Sequence, residues 1–288
     1  MIVTRMCGGL GNQLFQYAAG RRLAHALNTE LVLDVGWYER IPSKDTPRKY
    51  ELVNYPINGR KPSPVEVFWC RLHQGPLLRR IPFLPRKWRH VREKYFGFDP
   101  EILMLPDNVY LDGYWQCPKY FEDISLIIRE ELAPLLPFGA EDERINSRIG
   151  EGGAVSVHVR RGDYVTNPAA ARTHGLCSID YYKAALDHIC QRVSRPRFFV
   201  FSDDPKWVRE NLPMPTPCFF VDHNGPEFAF QDLCLMARCD HHIMANSSFS
   251  WWGGWLNSRE GKIVVMPKRW FSESLESGDM ALQGWVRL

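Results

Sequence analysis

Two adjacent arginines at the end of a short β-branched run are the side chains of this sequence best suited to chemistry. They lie in His158-Val-Arg-Arg-Gly-Asp-Tyr164, directly after Ala154-Val-Ser-Val157. The run reads as a buried strand, and the glycine after the pair lets the chain turn. Neighbouring residues leaving a strand point to opposite sides, so Arg160 and Arg161 are expected to do different jobs, one reaching into a crevice and the other anchoring the loop. A guanidinium is permanently charged and forked, which matches a pair of phosphate oxygens better than an ammonium does. In open α/β sheets the ligand crevice lies beyond the carboxyl ends of the strands, which is where this pair falls. A solvated basic turn is the plainer alternative for any Arg-Arg pair.

Three further clusters stand at predicted strand ends. Ser202-Asp203-Asp204 follows the strand 197–201. Its carboxylates could hydrogen-bond a nucleobase or ribose, hold a cation or act as a general base. Alternatively, Asp204 caps a helix begun by Pro205. Asn246-Ser247-Ser248-Phe249 opens an aromatic-rich segment running to Trp255. Free backbone N–H groups and hydroxyls at such a helix start form an anion site reinforced by the helix dipole, while the tryptophans read as core.

Near the N-terminus, Gly8-Gly-Leu-Gly-Asn-Gln13 reads as a turn between a strand over 2–7 and a helix over 14–27, with a second strand over 30–34 ending in Asp34. The dinucleotide fingerprint fails because Leu14 stands where its last glycine belongs, which argues against a nicotinamide or flavin. What remains is a glycine loop that can approach an anion, with Gly11, Asn12 and Gln13 facing it, or a plain turn capped by Asn12. Cys234, Cys239, His241 and His242 resemble metal ligands in type, but their spacing fits no zinc finger or ribbon, and no metal site is expected.

The elements that must carry these groups alternate. Beyond the opening, helices are predicted over 64–73, 77–81 and 121–132 and strands over 88–95 and 110–115, in a proline-interrupted first half. Strands at 154–159, 197–201, 218–221, 242–245 and 262–266 then interleave with helices at 179–191, 207–211, 228–237 and 248–256. This alternation predicts an α/β fold with parallel strands and helices on both faces. The length of 288 residues fits two domains, 1–148 and 149–288, divided within the charged, glycine-rich stretch 137–153.

A net charge of +3 gives no indication of nucleic-acid binding. Ten Lys/Arg nevertheless fall within residues 60–94 against Glu66 and Glu93. This stretch reads as a solvated face, or as one that rests on an anionic membrane surface or meets a lipid-linked glycan. With no membrane-crossing run or signal peptide in the sequence, and eight cysteines without paired spacing, the expected location is the cytoplasm, at most the inner face of its membrane.

Taken together, the motifs resemble those of the bacterial α-1,2-fucosyltransferases, glycosyltransferase family 11. The resemblance is carried by Gly8-Gly-Leu-Gly-Asn-Gln-Leu-Phe-Gln-Tyr17, His158-Val-Arg-Arg-Gly-Asp-Tyr164, Phe201-Ser-Asp-Asp204, and Asp232-Leu-Cys-Leu-Met236 running on through Asn246-Ser-Ser-Phe-Ser-Trp-Trp252, with a closing Met266-Pro-Lys-Arg-Trp270. Residues 37–110 match nothing in it. It implies two Rossmann-like domains facing a cleft, a GT-B-like architecture, with GDP-fucose held by the C-terminal domain. Arg160 would hold the β-phosphate, with Arg161 supporting it and His158 near the nucleotide. Asp203 or Asp204 would read the guanine or ribose edge. Asn246, Ser247, Ser248 and Phe249 would line the donor, and Gly11 and Asn12 would approach it from the N-terminal domain. The implied reaction is inverting transfer of L-fucose from GDP-β-L-fucose to the 2-hydroxyl of a galactose-terminated oligosaccharide or lipid-linked glycan, with no metal or cofactor. Asp163 is either a general base or a brace for the arginine loop. The alternatives are transfer of another GDP-sugar, transfer to another hydroxyl, or a non-catalytic nucleotide-sugar or glycan binder.

Overall fold

The computed structural model describes residues 1–43, 45–74, 88–272 and 278–288. The helix predicted over 77–81 and much of the basic stretch, including Arg79, Arg80, Arg86 and Lys87, lie outside them. The chain forms two compact units, Met1–Ala133 and Pro134–Leu288.

The first unit runs β1 (Ile2–Arg5), α1 (Leu10–Ala26), β2 (Leu31–Asp34), α2 (Pro64–Gln74), β3 (Arg89–Arg92), β4 (Val109–Asp112) and α3 (Ser125–Glu131). Its sheet has the order β2-β1-β4-β3 with every pairing parallel, and Val3 stands in register between Val32 and Tyr110. β1, β2 and β4 are almost wholly buried, apolar except at Thr4, Arg5, Asp34 and Asp112. Helix α1 lies close on β1 at Gly20, where a Cβ would meet Thr4 Oγ1 at 2.1 Å.

Helix α1 starts earlier than the sequence pattern predicts. Gly8, at φ +77°, makes the turn and extended Gly9 precedes the helix, so Leu10 to Gln13 form its first turn rather than a loop. Asp34, at the position of a ribose-binding acid, instead accepts the Tyr110 hydroxyl at 2.6 Å and the Gly36 N–H at 3.0 Å.

The second unit runs α4 (Ala140–Ile149), β5 (Ala154–Val159), α5 (Gly162–Thr166), α6 (Pro168–His174), α7 (Ile179–Cys190), β6 (Arg197–Ser202), α8 (Pro205–Asn211), β7 (Cys218–Val221), α9 (Ala229–Arg238), β8 (His241–Ile243), α10 (Ser248–Leu256), β9 (Val264–Met266) and β10 (Val286–Arg287). The strand order is β10-β9-β8-β5-β6-β7, all parallel. Counted from β5, this is the 3-2-1-4-5-6 order of a doubly wound dinucleotide-type sheet, and its order reverses between β5 and β8. Val155, Val157 and Val159 pack with α7 and Val208 of α8 on one face, while Ala154 joins Ile149, Leu235 and Met236 of α4 and α9 on the other. The α/β class and two Rossmann-like units expected from sequence are therefore present.

Three sequence expectations need correction. The division falls at Ala133/Pro134 rather than 148/149, because 140–149 is not a linker but helix α4, whose Ile145 and Ile149 join the core of the second unit. Helices α5 and α6 follow the arginine pair, where no element was predicted. The strand at Val264–Met266 is not the last, since β10 pairs beside it. Among the described residues no helix is long and apolar enough to cross a membrane.

Candidate active site

The reversal point of the second sheet brings two of the predicted clusters to neighbouring strand ends. Strand β5 leads into the arginine loop, and β8 leads into Asn246, Ser247 and α10. By strand alternation His158 projects from the face opposite Val157 and Val159, and its ring lies 5.5 Å from that of Phe249 in the first turn of α10. Burial, reinforced by the charge of Arg160, pushes the His158 imidazole down to about 3, so it is neutral at physiological pH. Its Nδ1 is buried without a hydrogen-bond partner.

The two arginines separate as predicted. Arg160 is held between two carboxylates: Nη2 contacts Asp163 Oδ1, and Nη1 pairs with Asp203 Oδ2 at 2.8 Å. Burial opposes its charge, but Asp203 and Asp163 keep the guanidinium firmly ionised. Arg161 turns the other way. Its guanidinium lies 3.7 Å from the centre of the Trp207 ring and its Nε donates to Asp204 Oδ2 at 3.2 Å, an anchor on α8.

This arrangement assigns local work to the acidic residues. Asp203 Oδ1 accepts the Arg161 backbone N–H at 2.8 Å while Oδ2 holds Arg160, so its carboxylate braces the loop from both sides. Asp204 caps α8 by accepting the Trp207 N–H at 3.1 Å. Both carboxylates thus carry structural contacts, Asp203 to the arginine loop and Asp204 to α8. Asp163 is ion-paired to Arg160, the geometry of a brace for the arginine loop.

Asn246 is a structural hub. Its amide donates to the carbonyls of His174 at 2.8 Å and of Gly175 and Trp270 at 3.3 Å, and its carbonyl oxygen accepts the Cys177 thiol at 3.4 Å. Its own backbone oxygen accepts the Tyr164 hydroxyl at 3.2 Å. Tyr164 in turn stacks on His174 with centroids 4.7 Å apart and lies under Arg160. Asn246 therefore ties α6 and the arginine segment to the end of β8. Ser247 caps α10 through the Phe249 N–H at 3.3 Å, while Ser248 begins the helix. Trp251, Trp252 and Trp255 are buried core, as expected.

In the first unit, Gly11 and Asn12 sit in the first turn of α1, and Asn12 Oδ1 accepts from Gln116 Nε2 at 2.8 Å beyond the end of β4. Gln13 does not face a ligand. It is fully buried, donates to Lys49 O at 2.8 Å and Gly8 O at 3.1 Å, and accepts the Glu51 N–H at 2.9 Å, clamping the 49–51 segment onto the helix. Sequence reasoning missed Glu51 altogether. Burial raises its carboxyl to about 7 against the opposing influence of Arg48 and the Leu10 N–H, and its Oε2 is buried without a partner.

His242, in the cysteine–histidine cluster, has both ring nitrogens engaged. Nδ1 meets Ser156 Oγ and Nε2 meets Asn257 Nδ2, each at 2.8 Å, and His241 Nδ1 accepts the Ile263 N–H at 3.0 Å. The cluster is a hydrogen-bonded part of the core.

Residues 81–288 match the sequence signature of glycosyl transferase family 11. Over its full length the chain is 33% identical to an α-1,2-colitosyltransferase of Escherichia coli, covering 99% of that protein. It is 32% identical to the O-antigen biosynthesis glycosyltransferase WbnK of Escherichia coli over 98% of this chain and 99% of the relative. Mouse galactoside α-(1,2)-fucosyltransferase 2 is 35% identical over 35% of this chain and 30% of its own length. Among solved structures, NodZ α-1,6-fucosyltransferase soaked with GDP-fucose aligns over 88% of this chain and 91% of its own with a TM-score of 0.47 and 18% identity.

Proposed function

The chain belongs to glycosyl transferase family 11, and from that premise we propose that it is an inverting α-1,2-fucosyltransferase, moving L-fucose from GDP-β-L-fucose to the 2-hydroxyl of a terminal galactoside. The observation that carries this reading is Arg160, an ionised fork fixed by Asp163 and Asp203 at the end of the central strand, beside the sheet's reversal point and the start of α10. A nucleoside diphosphate leaving group needs donors aimed where negative charge grows as its bond to the anomeric carbon breaks. Arg160 and the first-turn N–H groups of α10 are of that kind. In the proposed step the acceptor oxygen bonds to the anomeric carbon on the face opposite the phosphate, the bonding pair of the departing oxygen leaves with GDP, and the acceptor proton passes to solvent or a base. Inversion follows from the single displacement. Arg160 supplies the charge stabilisation that a cation would otherwise give, so metal-independent activity is expected.

A second reading has its own support. Full-length identity of 33% to an α-1,2-colitosyltransferase favours a related GDP-deoxysugar as donor with the same linkage. The first experiment offers GDP-L-fucose and GDP-L-colitose separately to galactose-terminated acceptors in EDTA, measures GDP release and determines the product linkage by NMR. A 2-linked α-fucoside formed in EDTA supports the proposal. Selective use of GDP-colitose supports the second reading, and dependence on added metal or absence of GDP binding would overturn the arginine-centred reading. The proposed location is the cytoplasm, with the basic stretch 60–94 at the inner membrane face or near a lipid-linked acceptor.

A further inference from the structure

Helix α2 of the first unit is oriented against its own amphipathic pattern. It buries Glu66 and Cys70, one turn apart, and leaves Val65 and Phe68 on the opposite side, 68% and 59% exposed. A surface helix ordinarily does the reverse, with its apolar stripe inward and its charge outward. The inward side is fixed by what it meets. Cys70 and Trp88 join Val3, Val32 and Tyr110 of the first sheet, and Trp69 packs against the same group. Glu66 is drawn in by Arg60 Nη1 at 2.8 Å and the Ser63 N–H at 2.9 Å. An apolar pair is thereby turned to the outside.

Charge along the same border is one-sided. Trp88 stands immediately before β3, so α2 borders the edge strand of the sheet. Arg89 and Arg92 of β3 are exposed, and among the described residues neither has a carboxylate partner. Lys61, just ahead of the helix, is exposed as well. The two acids of the stretch 60–94 are both spent inside: Glu66 on Arg60, and Glu93 on the N–H groups of Tyr114 at 2.7 Å and Trp115 at 3.0 Å. Asp107, ahead of the neighbouring strand β4, is held by the N-terminal amine. The cations are left to face outward.

Edge-strand cations also keep a sheet from pairing with other chains, which accounts for Arg89 and Arg92 but leaves Val65 and Phe68 unexplained. A surface of anionic lipid accounts for both. Aromatic and aliphatic side chains enter the boundary between headgroups and acyl chains, and basic side chains meet the lipid phosphates above it. We propose that α2 and the free edge of β3 form a docking surface for an anionic lipid bilayer, with Val65 and Phe68 entering the interface and Lys61, Arg89 and Arg92 at the phosphates. The inference rests on the location proposed above, which it commits to one partner and one set of contacts, and it is independent of the donor and the acceptor.

The two kinds of contact contribute separately. Each basic side chain near an anionic surface is worth about fivefold in partitioning, so losing both arginines of β3 costs roughly twentyfold. Burying the outer half of a phenylalanine ring is worth roughly tenfold, and that part does not respond to salt.

The test is cosedimentation of the full chain with vesicles of phosphatidylcholine alone and of phosphatidylcholine with phosphatidylglycerol, at low and high salt. Thermal melting and GDP release with a soluble galactoside acceptor are measured alongside. Wild type is expected to bind the phosphatidylglycerol vesicles at low salt, to bind them less at high salt, and to leave phosphatidylcholine vesicles unbound. Phe68→Ser is expected to weaken this binding roughly tenfold, and Arg89→Ser with Arg92→Ser roughly twentyfold, with melting and GDP release unchanged. No association of wild type with phosphatidylglycerol vesicles at low salt overturns the surface, as does binding within twofold of wild type in both variants. A dimer in solution that Phe68→Ser dissociates would assign this face to a second copy of the chain and overturn it too. Failure of the transferase reading shows separately, as absence of GDP release, and leaves the vesicle readout intact.

Discussion

Replacing Gly162 with alanine tests whether the fixed position of Arg160 is what the site depends on. A Cβ on Gly162 would stand 2.3 Å from Asp203 Oδ2, an approach that real side chains do not make. Asp203 cannot simply swing away, because Oδ1 holds the Arg161 N–H at 2.8 Å and Oδ2 holds Arg160 Nη1 at 2.8 Å. Ordinary contact begins at 3.4 Å, so the carboxylate must retreat by roughly 1 Å, which takes the Arg160 pair beyond hydrogen-bonding range. Loss of one charge-assisted bond corresponds to about 1.5–3 kcal/mol, and a misplacement of about 1 Å in a catalytic constellation to about a hundredfold in rate. Gly162→Ala is thus expected to lower kcat/KM for GDP release by about a hundredfold while the protein stays folded. The assay is GDP release with a galactoside acceptor, paired with thermal melting and GDP titration. A variant that melts like wild type and keeps kcat/KM and GDP affinity within threefold would refute the claim that Asp203 positions Arg160.

Two further perturbations separate structural from ligand-contacting carboxylates. Asp204→Ala removes the cap of α8 and the Nε partner of Arg161, and is expected to lower stability by about 0.5–2 kcal/mol in urea unfolding with little change in GDP affinity; a large affinity loss at unchanged stability would return Asp204 to the role of nucleotide reader. Asp232, whose side chain accepts from Asn224 Nδ2 at 2.8 Å, is raised to about 7, chiefly by burial, with neighbouring Asp142 adding to the shift against Asn224 and His223. Its folded pKa exceeds the unfolded one, so the folded state binds the extra proton and stability declines as pH rises from about 4 to about 7. Asp232→Asn is therefore expected to gain stability relative to wild type at pH 8 compared with pH 5, and an equal difference at both pH values would contradict the shift.

What could be read from the sequence was what depends on near neighbours. The alternation Val155, Val157, Val159 placed His158 on the opposite face, and the split between Arg160 and Arg161 followed from the same two-residue period. Asp204 before Pro205 already spelled a cap, and the capping alternative is the one the structure shows. Helix α4 was hidden because its charge masks two apolar contacts, Ile145 and Ile149, that matter only once α9 is beside them. Gln13 and Glu51 lie 38 residues apart, joined through a backbone bond that no local pattern announces.

The arginine cluster also shows why charge alone describes this site poorly. Arg160 and Arg161 face Asp163, Asp203 and Asp204, and His158 is neutral, so the carboxylates outnumber the cations. A diphosphate would not be drawn to such a cluster by its net field. It would be met by directed donors, the guanidinium N–H groups of Arg160 not turned toward Asp163 and Asp203. The acids weaken long-range attraction but remove rotational freedom from the fork before any ligand arrives, and preorganised donors stabilise developing charge without rearranging during the reaction. A lysine at 160 would carry the same charge but could not meet two carboxylates and a phosphate in fixed directions from one planar group. The side-chain type at 160, rather than the sum of charges around it, is what the fold of the arginine loop is built to hold.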